Sequence, residues 1–425
     1  MKSGYAGEDC PKFVIPSSVG VIGGEESSSS EVQSDAKRLV GTNALSVRRE
    51  GMRIEGVVRD GVIADWDAAE SLIEHSFKNC LSCEPTDHPL LMAEPSFNPS
   101  AAREKMAELC FEKFQVPALF LSKNAVLTAF AAGRGTALVL EVGGGISSAT
   151  AVHDGYVLSK PMIRSALAGD LLTELTLKSL QLRDPAPSVL PIYCLKRTSV
   201  GPGEEKIEMQ NFTGSTHPSF HRYMQLQVMK DVKECVCRCA AAPPTDAAPL
   251  EMSSWEHEMP DRTVLDYGWE RLHLPELLFS PPLLSSSPPP WLRPASGSGG
   301  EAHPRLAELT NMVPENITGL PEMVSECIRA CDTDLRRELW GSVVVGGGGS
   351  LLPGLTERLH ARLNELVPQM SMKVKLLAAS TPSERRFAVW IGGSILASLG
   401  SFQQLWMSKQ EYDEQGASAI QRKCP

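Results

Sequence analysis

From Pro89 onward the chain alternates short unbroken apolar runs with stretches whose apolar residues recur every three or four positions. "PLLMAEPSFNPS" reads as a strand ending at a Pro/Asn turn, and "AAREKMAELCFEKF" as an amphipathic helix with Met106, Leu109, Cys110 and Phe114 at helical spacing. "VPALFLS" has the length and composition of a buried strand, "KNAVLTAFAAG" is a helix closed by Gly133, and "TALVLEVGGG" is a strand running into glycines. "SSATAVHDGYVLS" alternates around Asp154–Gly155, a strong hairpin signal. Strand, helix, strand, helix, strand and hairpin in that order predict an α/β lobe with a mixed sheet. Farther on, "VVVGGGGSLLPGL" (343–355) repeats the passage from an apolar strand through glycines to a new apolar pattern. Thr381, Pro382 and Glu384 spell a capping box with proline at the first helical position, opening "PSERRFAVWIGGSILASLG". The Gly392–Gly393 pair inside that helix costs about 1 kcal/mol per glycine, which predicts a close backbone approach there.

Other stretches bury little. Residues 23–35 ("GGEESSSSEVQSD") read as a polar loop, and 240–261 and 280–304 as Pro/Ser/Gly/Ala-rich insertions without a core of their own. At 425 residues the chain is long enough for two or more lobes. A hydrophobic fraction of 42% and a charged fraction of 22% are those of a globular protein. The net charge of -10 argues against gripping nucleic acid over the whole surface. No apolar run approaches the ~18–20 residues a membrane span needs, and "MKSGYAGEDC" lacks a signal-peptide pattern, so no membrane role and a reducing compartment are expected. Cys80 and Cys83 form one C-x-x-C, and Cys235, Cys237 and Cys239 alternate. With no second C-x-x-C, the cysteines read as small buried hydrophobes rather than zinc ligands.

Gly143–Gly145 and Gly346–Gly349 each follow an apolar strand. Two such turns facing each other across a cleft could cradle a polyphosphate with backbone N–H groups. Either alone reads equally as a tight turn, and neither matches the Walker A or dinucleotide fingerprint.

The segments "GYAGEDCPK", "REKMAELCFEKF", "DVKE" and "ERRFAVWIGG" fall in the order they take in the actin superfamily. The C-terminal "VWIGGSILASLGSFQQLWMSKQEYDEQGASAIQRKCP" resembles that of actin almost residue for residue. The match covers about three quarters of the chain. Within the superfamily, "AVLTAF", "VHDGYVL", "CDTDLRREL", "SLGSF" and "RKCP" resemble the nuclear actin-like protein 6 group, with an ending like that of its plant and algal forms.

The resemblance implies an α/β actin-like two-lobed fold of the actin, heat-shock and sugar-kinase ATPase superfamily, with ATP and Mg or Ca in a cleft between the lobes. It implies a small lobe from 1–131 and 388–425, with 17–57 as its variable insert. The large lobe is 132–387, with flexible insertions near 240–262 and 280–304. By position, Gly143, Gly144 and Gly145 match the second phosphate loop, and Gly347 and Gly348 the glycines beside the nucleotide. Lys233 and Glu234 match the adenosine-contacting pair, and Arg386 a basic residue near the base. Ahead of "GYAGEDC" the family carries a strand with an aspartate and a glycine/serine phosphate loop. The sequence opens at Met1 without them: either an in-frame upstream segment supplies them, which is the expectation, or the cleft has half the family's phosphate grip.

Three positions depart from the family pattern. Glu141 takes the metal-side aspartate position, Gly144 removes a second aspartate, and Asn124 replaces the glutamine that positions the attacking water. An amide one methylene short sits out of place, which can cost ~100-fold in rate. At most slow hydrolysis is expected, with nucleotide acting as a weak or structural ligand. The polymerising loops are replaced by 23–35 and 280–300, so actin-type filaments are not expected. Phe130, Ile395, Leu396, Leu399 and Leu405 match the apolar groove where family partners dock helices. The implied function is a non-enzymatic nuclear scaffold, with some protein in the cytoplasm, in chromatin-remodelling and histone-acetyltransferase complexes. It would sit on the helicase-SANT-associated helix of a remodelling ATPase or acetyltransferase scaffold, beside actin or another actin-related protein, and reach chromatin indirectly. A slow superfamily ATPase is the alternative that Asn124 and Gly144 disfavour. A divergent cytoskeletal actin is disfavoured by the replaced loops. No motif addresses direct histone or DNA contact.

Overall fold

The computed structural model describes residues 1–23, 36–201, 204–212, 214–244, 254–286, 305–314, 317–368 and 372–425. Among these, no helix is long and apolar enough to cross a membrane.

Near the N-terminus, β1 (Ser18–Ile22) is flanked antiparallel by Lys37–Leu39 and by β2 (Arg53–Gly56). Farther along, β3 (Leu90–Glu94) and β4 (Ala118–Lys123) run parallel, and Met407–Ser408 pairs antiparallel with the other edge of β4. The crossover between β3 and β4 is α1 (Ser100–Glu108), which passes into a wider π-helical turn over Leu109–Lys113. That wider turn lets the consecutive residues Cys110 and Phe111 both reach the core. The end of the chain folds back onto this unit. Leu121 N donates to Cys424 Sγ at 3.3 Å, and the Arg103 guanidinium donates to the Cys424 carbonyl. Arg103 also donates to Glu94 Oε1 at 2.7 Å and to Gln421 Oε1 at 2.6 Å. Lys123 Nζ stands 2.7 Å from the same Glu94 oxygen.

Directly after β4, α2 (Asn124–Ala131) ends at Gly133, whose φ of +67 suits a left-handed helix stop. The second sheet then forms. Strands β5 (Ala137–Val142) and β6 (Ser147–His153) are antiparallel, and β6 turns through Asp154 (φ +49) and Gly155 (φ +82) into Tyr156–Val157. Two successive positive φ values are those of the hairpin turn the Asp-Gly pair predicts. Helices α3 (Gly169–Gln181) and α4 (Pro218–Val236) follow. Strand β7 (Val343–Gly346) then pairs parallel to β5, and β8 (Leu376–Ala378) parallel to β7. Alternate side chains explain why this sheet is covered on both faces. Leu138, Leu140, Val142, Val343 and Val345 join one core cluster with Met323, Val324 and Leu359. Ala137, Val139 and Val344 join another with Ala125 and Ala129 of α2.

Helix α5 (Pro382–Ser398) starts where the sequence predicts, with Thr381 Oγ1 accepting from Glu384 N at 3.2 Å. The return half of the box differs: Glu384 Oε2 accepts from the Thr381 hydroxyl instead of the Thr381 backbone. The predicted close approach is at Gly392, where an added Cβ would stand 2.6 Å from the Leu127 carbonyl carbon and 2.9 Å from its Cα.

The insertions hold more structure than their composition implies. Trp255–Glu258 pairs with Val264–Tyr267, burying Met259 and Tyr267, and Leu283–Ser286 is a short helix with Leu283 and Leu284 buried. A few apolar residues at their ends pack onto neighbouring elements, which overall composition hides. Residues 24–35, 245–253 and 287–304 lie outside the described residues.

One further contact joins distant parts of the chain. Met52, just before β2, is fully buried against Phe220 and Met224 of α4. Ile54 N donates to Ser219 Oγ at 2.9 Å, and the Arg48 guanidinium lies 4.2 Å from the centre of the Phe212 ring.

Candidate functional site

Both glycine clusters leave the carboxyl ends of parallel neighbours, β5 and β7, which is where open α/β sheets place ligands. They abut rather than face each other across the cleft. The pairing of Leu138 with Val343 and Glu141 with Gly346 sets the two loops side by side. Gly347 has φ +89, and a Cβ there would lie 2.7 Å from Val142 C, so only glycine fits. A Cβ at Gly349 would meet the Val142 and Gly143 carbonyl oxygens at 3.0 and 3.1 Å. On the other loop, Gly143 N donates to Ile146 O at 3.0 Å, closing the β5–β6 turn. Gly169 N and Asp170 N, at the start of α3, donate to the carbonyls of Gly143 and Gly144 at 3.1 and 2.8 Å.

A cavity of about 480 Å³ opens over these loops, within the size range of small-molecule sites. Its wall includes Gly143, Gly144, Gly347 and Gly348, together with Lys233, Glu234 and Arg386. Asn124 and Glu141 line the same space. Of the residues assigned to the cleft by sequence, Gly145 alone stands off the wall, exposed at the tip of its turn.

The side chains are not all free for the roles the resemblance implies. Lys233 is buried, and its ammonium donates to Gly169 O at 2.8 Å and to Thr173 Oγ1 at 3.0 Å. Two of its three donors thus tie α4 to the start of α3, and burial lowers its pKa against the opposing pull of Asp170 and Glu234. Glu234, one residue on, is exposed. The Arg386 side chain is exposed and lies over the Phe387 ring. Asn124 is the first residue of α2, and one turn later Thr128 Oγ1 donates to Glu141 Oε1 at 2.9 Å.

Burial pushes the Glu141 carboxyl up from its ordinary 4.5, opposed by the Thr128 hydrogen bond and by Lys2. A carboxyl raised on folding destabilises through its charged form. The cost is full above the folded pKa and absent below the unfolded value of 4.5. Glu141→Gln, which keeps an acceptor for Thr128, is therefore expected to raise the melting temperature at neutral pH. The gain should fade as pH falls towards 4.5, as melting curves across that range would read.

Sequence reading missed Lys2. It lines the cavity, donates to Arg386 O at 2.9 Å and lies 5.3 Å from the Phe387 ring centre. Nothing in a single lysine near the start of a polar stretch signals this placement. Asp170 and Lys230 also line the cavity.

The residues around Glu141 do not fit the Mg or Ca that the resemblance implies. Its Oε1 accepts from Thr128, Gly144 brings no acidic group, the Lys2 ammonium shares the space, and the other carboxylates on the cavity wall, Asp170 and Glu234, do not join Glu141 in a metal-ligating group. Among the described residues no group of three or more His, Cys, Asp or Glu side chains is placed to hold a metal. The cysteines are free, and seven are buried. Cys110, Cys237 and Cys239 are pushed up to about 12 by burial, so they are unreactive thiols. Cys10 and Cys235 are exposed and Cys80 and Cys83 half-buried, against the buried reading of all eleven: Cys10 lies in a bend near the start of the chain and Cys235 on the solvent-facing side of α4.

Four of the five groove residues follow the Gly392 crossing in the chain. Ile395, Leu399 and Leu405 are 42%, 40% and 51% exposed, and the four-residue spacing of Ile395 and Leu399 puts those two on one side of the end of α5. Phe130 is half-buried, and Leu396 packs partly into the core of the β3–β4 unit.

The family model described as Actin matches residues 1–425. Actin-related protein 4 of Arabidopsis thaliana is 42% identical over 443 residues, covering 100% of this chain and 96% of that protein. Actin-related protein 4 of Schizosaccharomyces pombe is 32% identical, covering 99% of this chain and 94% of its own length. The same yeast's "SWI/SNF and RSC complexes subunit arp42" is 33% identical, with 99% and 96% covered. The first two of these relatives carry the name actin-related protein 4, not the actin-like protein 6 label that the motifs suggested.

Proposed function

The chain belongs to the actin family, and from that premise we propose that it is a nuclear, non-filament-forming actin-related subunit of chromatin-remodelling and histone-acetyltransferase complexes. The lobes would be 1–131 with 388–425, and 132–387. The partner is an amphipathic helix of the kind that the helicase-SANT-associated segment of a remodelling ATPase or scaffold provides, with actin or another actin-related protein alongside. The observation that carries this reading is the exposure of Ile395, Leu399 and Leu405, large apolar side chains of the kind a docked helix covers. The name of the fission-yeast relative, a subunit of SWI/SNF and RSC complexes, supports the same assignment. The cleft supports nucleotide held as a structural ligand. A ligand at 100 times its Kd adds about 2.7 kcal/mol of stability, and the short Asn124 amide does not favour turnover.

The test is affinity purification of the protein from nuclear extract, with mass spectrometry, beside an Ile395→Asp/Leu399→Asp variant. Both positions are exposed, so each change is expected to cost about 0.5 kcal/mol or less in stability. Leu396 is left alone because it packs into the core. The unaltered chain is expected to bring down a remodelling ATPase or acetyltransferase scaffold with actin, and the variant to recover at least about tenfold less. Recovery of cytoskeletal proteins only, or equal recovery by the variant, overturns the reading.

A further inference from the structure

The strand Leu195–Gly201 pairs antiparallel with Glu204–Met209 in a ribbon of two strands. Strands in a sheet ordinarily alternate buried and exposed side chains. Here Lys196, Arg197, Thr198, Ser199 and Val200 are all exposed. Core packing therefore does not explain the order of these residues. The ladder pairs Ser199 with Glu205 and Gly201 with Glu204, so Val200 is the extra residue of a bulge, and it is 66% exposed. The Ser199 hydroxyl donates to the Gly201 carbonyl at 3.4 Å, a long bond that is easily given up. A two-stranded ribbon holds together weakly by itself, so this strand can be taken up as an extended segment while the core stays folded.

The order of the residues has a chemical meaning. Of the places in the chain where two Lys or Arg residues adjoin, Lys196–Arg197 alone has a serine or threonine two residues on. That residue is Ser199, and Val200 follows it. Protein kinases that choose substrates by charge use acidic grooves to seat a basic pair just ahead of the reacting hydroxyl. An apolar side chain immediately after the hydroxyl fills the groove beyond it. All three features stand in water on one strand.

We propose that Ser199 is a phosphorylation site, modified by a protein kinase whose acidic substrate groove takes Lys196 and Arg197 and whose apolar seat takes Val200. Neither the cleft nor the groove at the end of α5 enters into it. In the transfer, Ser199 Oγ forms a bond to the γ-phosphorus of ATP as the bond from that phosphorus to the β,γ-bridging oxygen breaks. The hydroxyl proton passes to the kinase's catalytic aspartate, and ADP leaves. The phosphate has a consequence within this chain. The Arg197 guanidinium donates to Pro260 O at 3.0 Å, which ties the ribbon to the turn between Trp255–Glu258 and Val264–Tyr267. Arg197 and Ser199 are two residues apart on one face of their strand. A phosphate of about −1.5 to −2 charge there competes with the neutral Pro260 carbonyl for the guanidinium and loosens the tie.

The test incubates the full chain with ATP and the catalytic subunit of cyclic-AMP-dependent protein kinase, a kinase of this charge preference, and maps phosphate by mass spectrometry. About one phosphate per chain, on Ser199, is the expected result. Ser199→Ala should take up none, and Arg197→Gln should slow uptake by about tenfold or more, the range for losing a charge-assisted contact. Phosphate on Thr198 or elsewhere, or equal uptake by Ser199→Ala, overturns the proposal. A synthetic peptide of residues 193–203 is the reference. Phosphorylation of the peptide but not of the chain shows that the ribbon shields Ser199, and no phosphorylation of either shows that the sequence is not read. Both results overturn it. Both altered positions are exposed, and melting of the variants confirms that the fold is kept. Amide exchange over Leu195–Met209 should be faster in the phosphorylated chain than in Ser199→Ala treated alike, and unchanged exchange overturns the release of Arg197.

Discussion

Gly392→Ala is expected to be among the most damaging single-methyl additions in this protein, costing about 3 kcal/mol or more. Overpacking usually costs 1–3 kcal/mol because side chains can shift, but here the new methyl meets backbone. The Leu127 carbonyl carbon and Cα would lie 2.6 and 2.9 Å from it, inside any real contact distance. The ~1 kcal/mol of helix propensity that alanine adds does not offset that. The whole of α5 would have to move off α2, and α5 also packs on β3, on β7 and on the glycine turn at Gly348–Leu351. The neighbouring Gly393→Ala is the control. Its Cβ meets only the Leu91 Cδ2 at 3.2 Å and the Leu127 Cδ1 at 3.7 Å, side-chain ends that can yield. It should stay within about 1 kcal/mol of the starting protein. Urea unfolding of the two variants checks the contrast, and similar midpoints for both would refute it.

Removing the carboxylate at Glu94 should cost about 3–5 kcal/mol. Glu94 and Arg103 are both buried, and Lys123 is nearly so, so Glu94→Ala leaves two cations without their shared partner in a poorly solvated place. Arg103→Ala should cost less in charge, because Lys123 still pairs with Glu94, but it also frees the Cys424 carbonyl and Gln421. By contrast the Lys78–Glu74 pair stands in water, where such pairs contribute little to stability. Unfolding midpoints measure the loss. A second readout is the Cys424 thiol, which burial pushes up to about 11. Once the C-terminal turn loosens, it should become reactive towards a thiol reagent. A loss below ~1 kcal/mol would mean that the two cations reach water freely.

The parts of the fold that were legible in the sequence are those decided locally. Apolar runs bounded by breakers placed β3, β4, β5 and β7, Asp154–Gly155 placed its hairpin, and the cost of Gly392 in a helix pointed to a backbone contact. What could not be read depends on pairing across the chain. The two glycine loops lie side by side because Leu138 pairs with Val343, and no local pattern carries that register. A Lys-Glu pair on a helix likewise does not reveal that Lys233 is bonded to Gly169 and Thr173. Lys2 went unnoticed for the same reason, since its importance comes from Arg386 and Phe387 at the other end of the sequence. The strand Trp255–Glu258 was hidden by the proline- and alanine-rich residues beside it.

The packing of Met52 against Phe220 sets how often the β1–β2 sheet can part from α4. Swinging the β1–β2 sheet away from α4 uncovers both side chains, each fully buried. At about 1.5–3 kcal/mol for each large apolar side chain exposed, that movement costs at least ~3 kcal/mol. The parted arrangement then amounts to under about 1% of molecules at equilibrium. Whatever docks beside this contact meets, nearly always, the β1–β2 sheet and α4 held together.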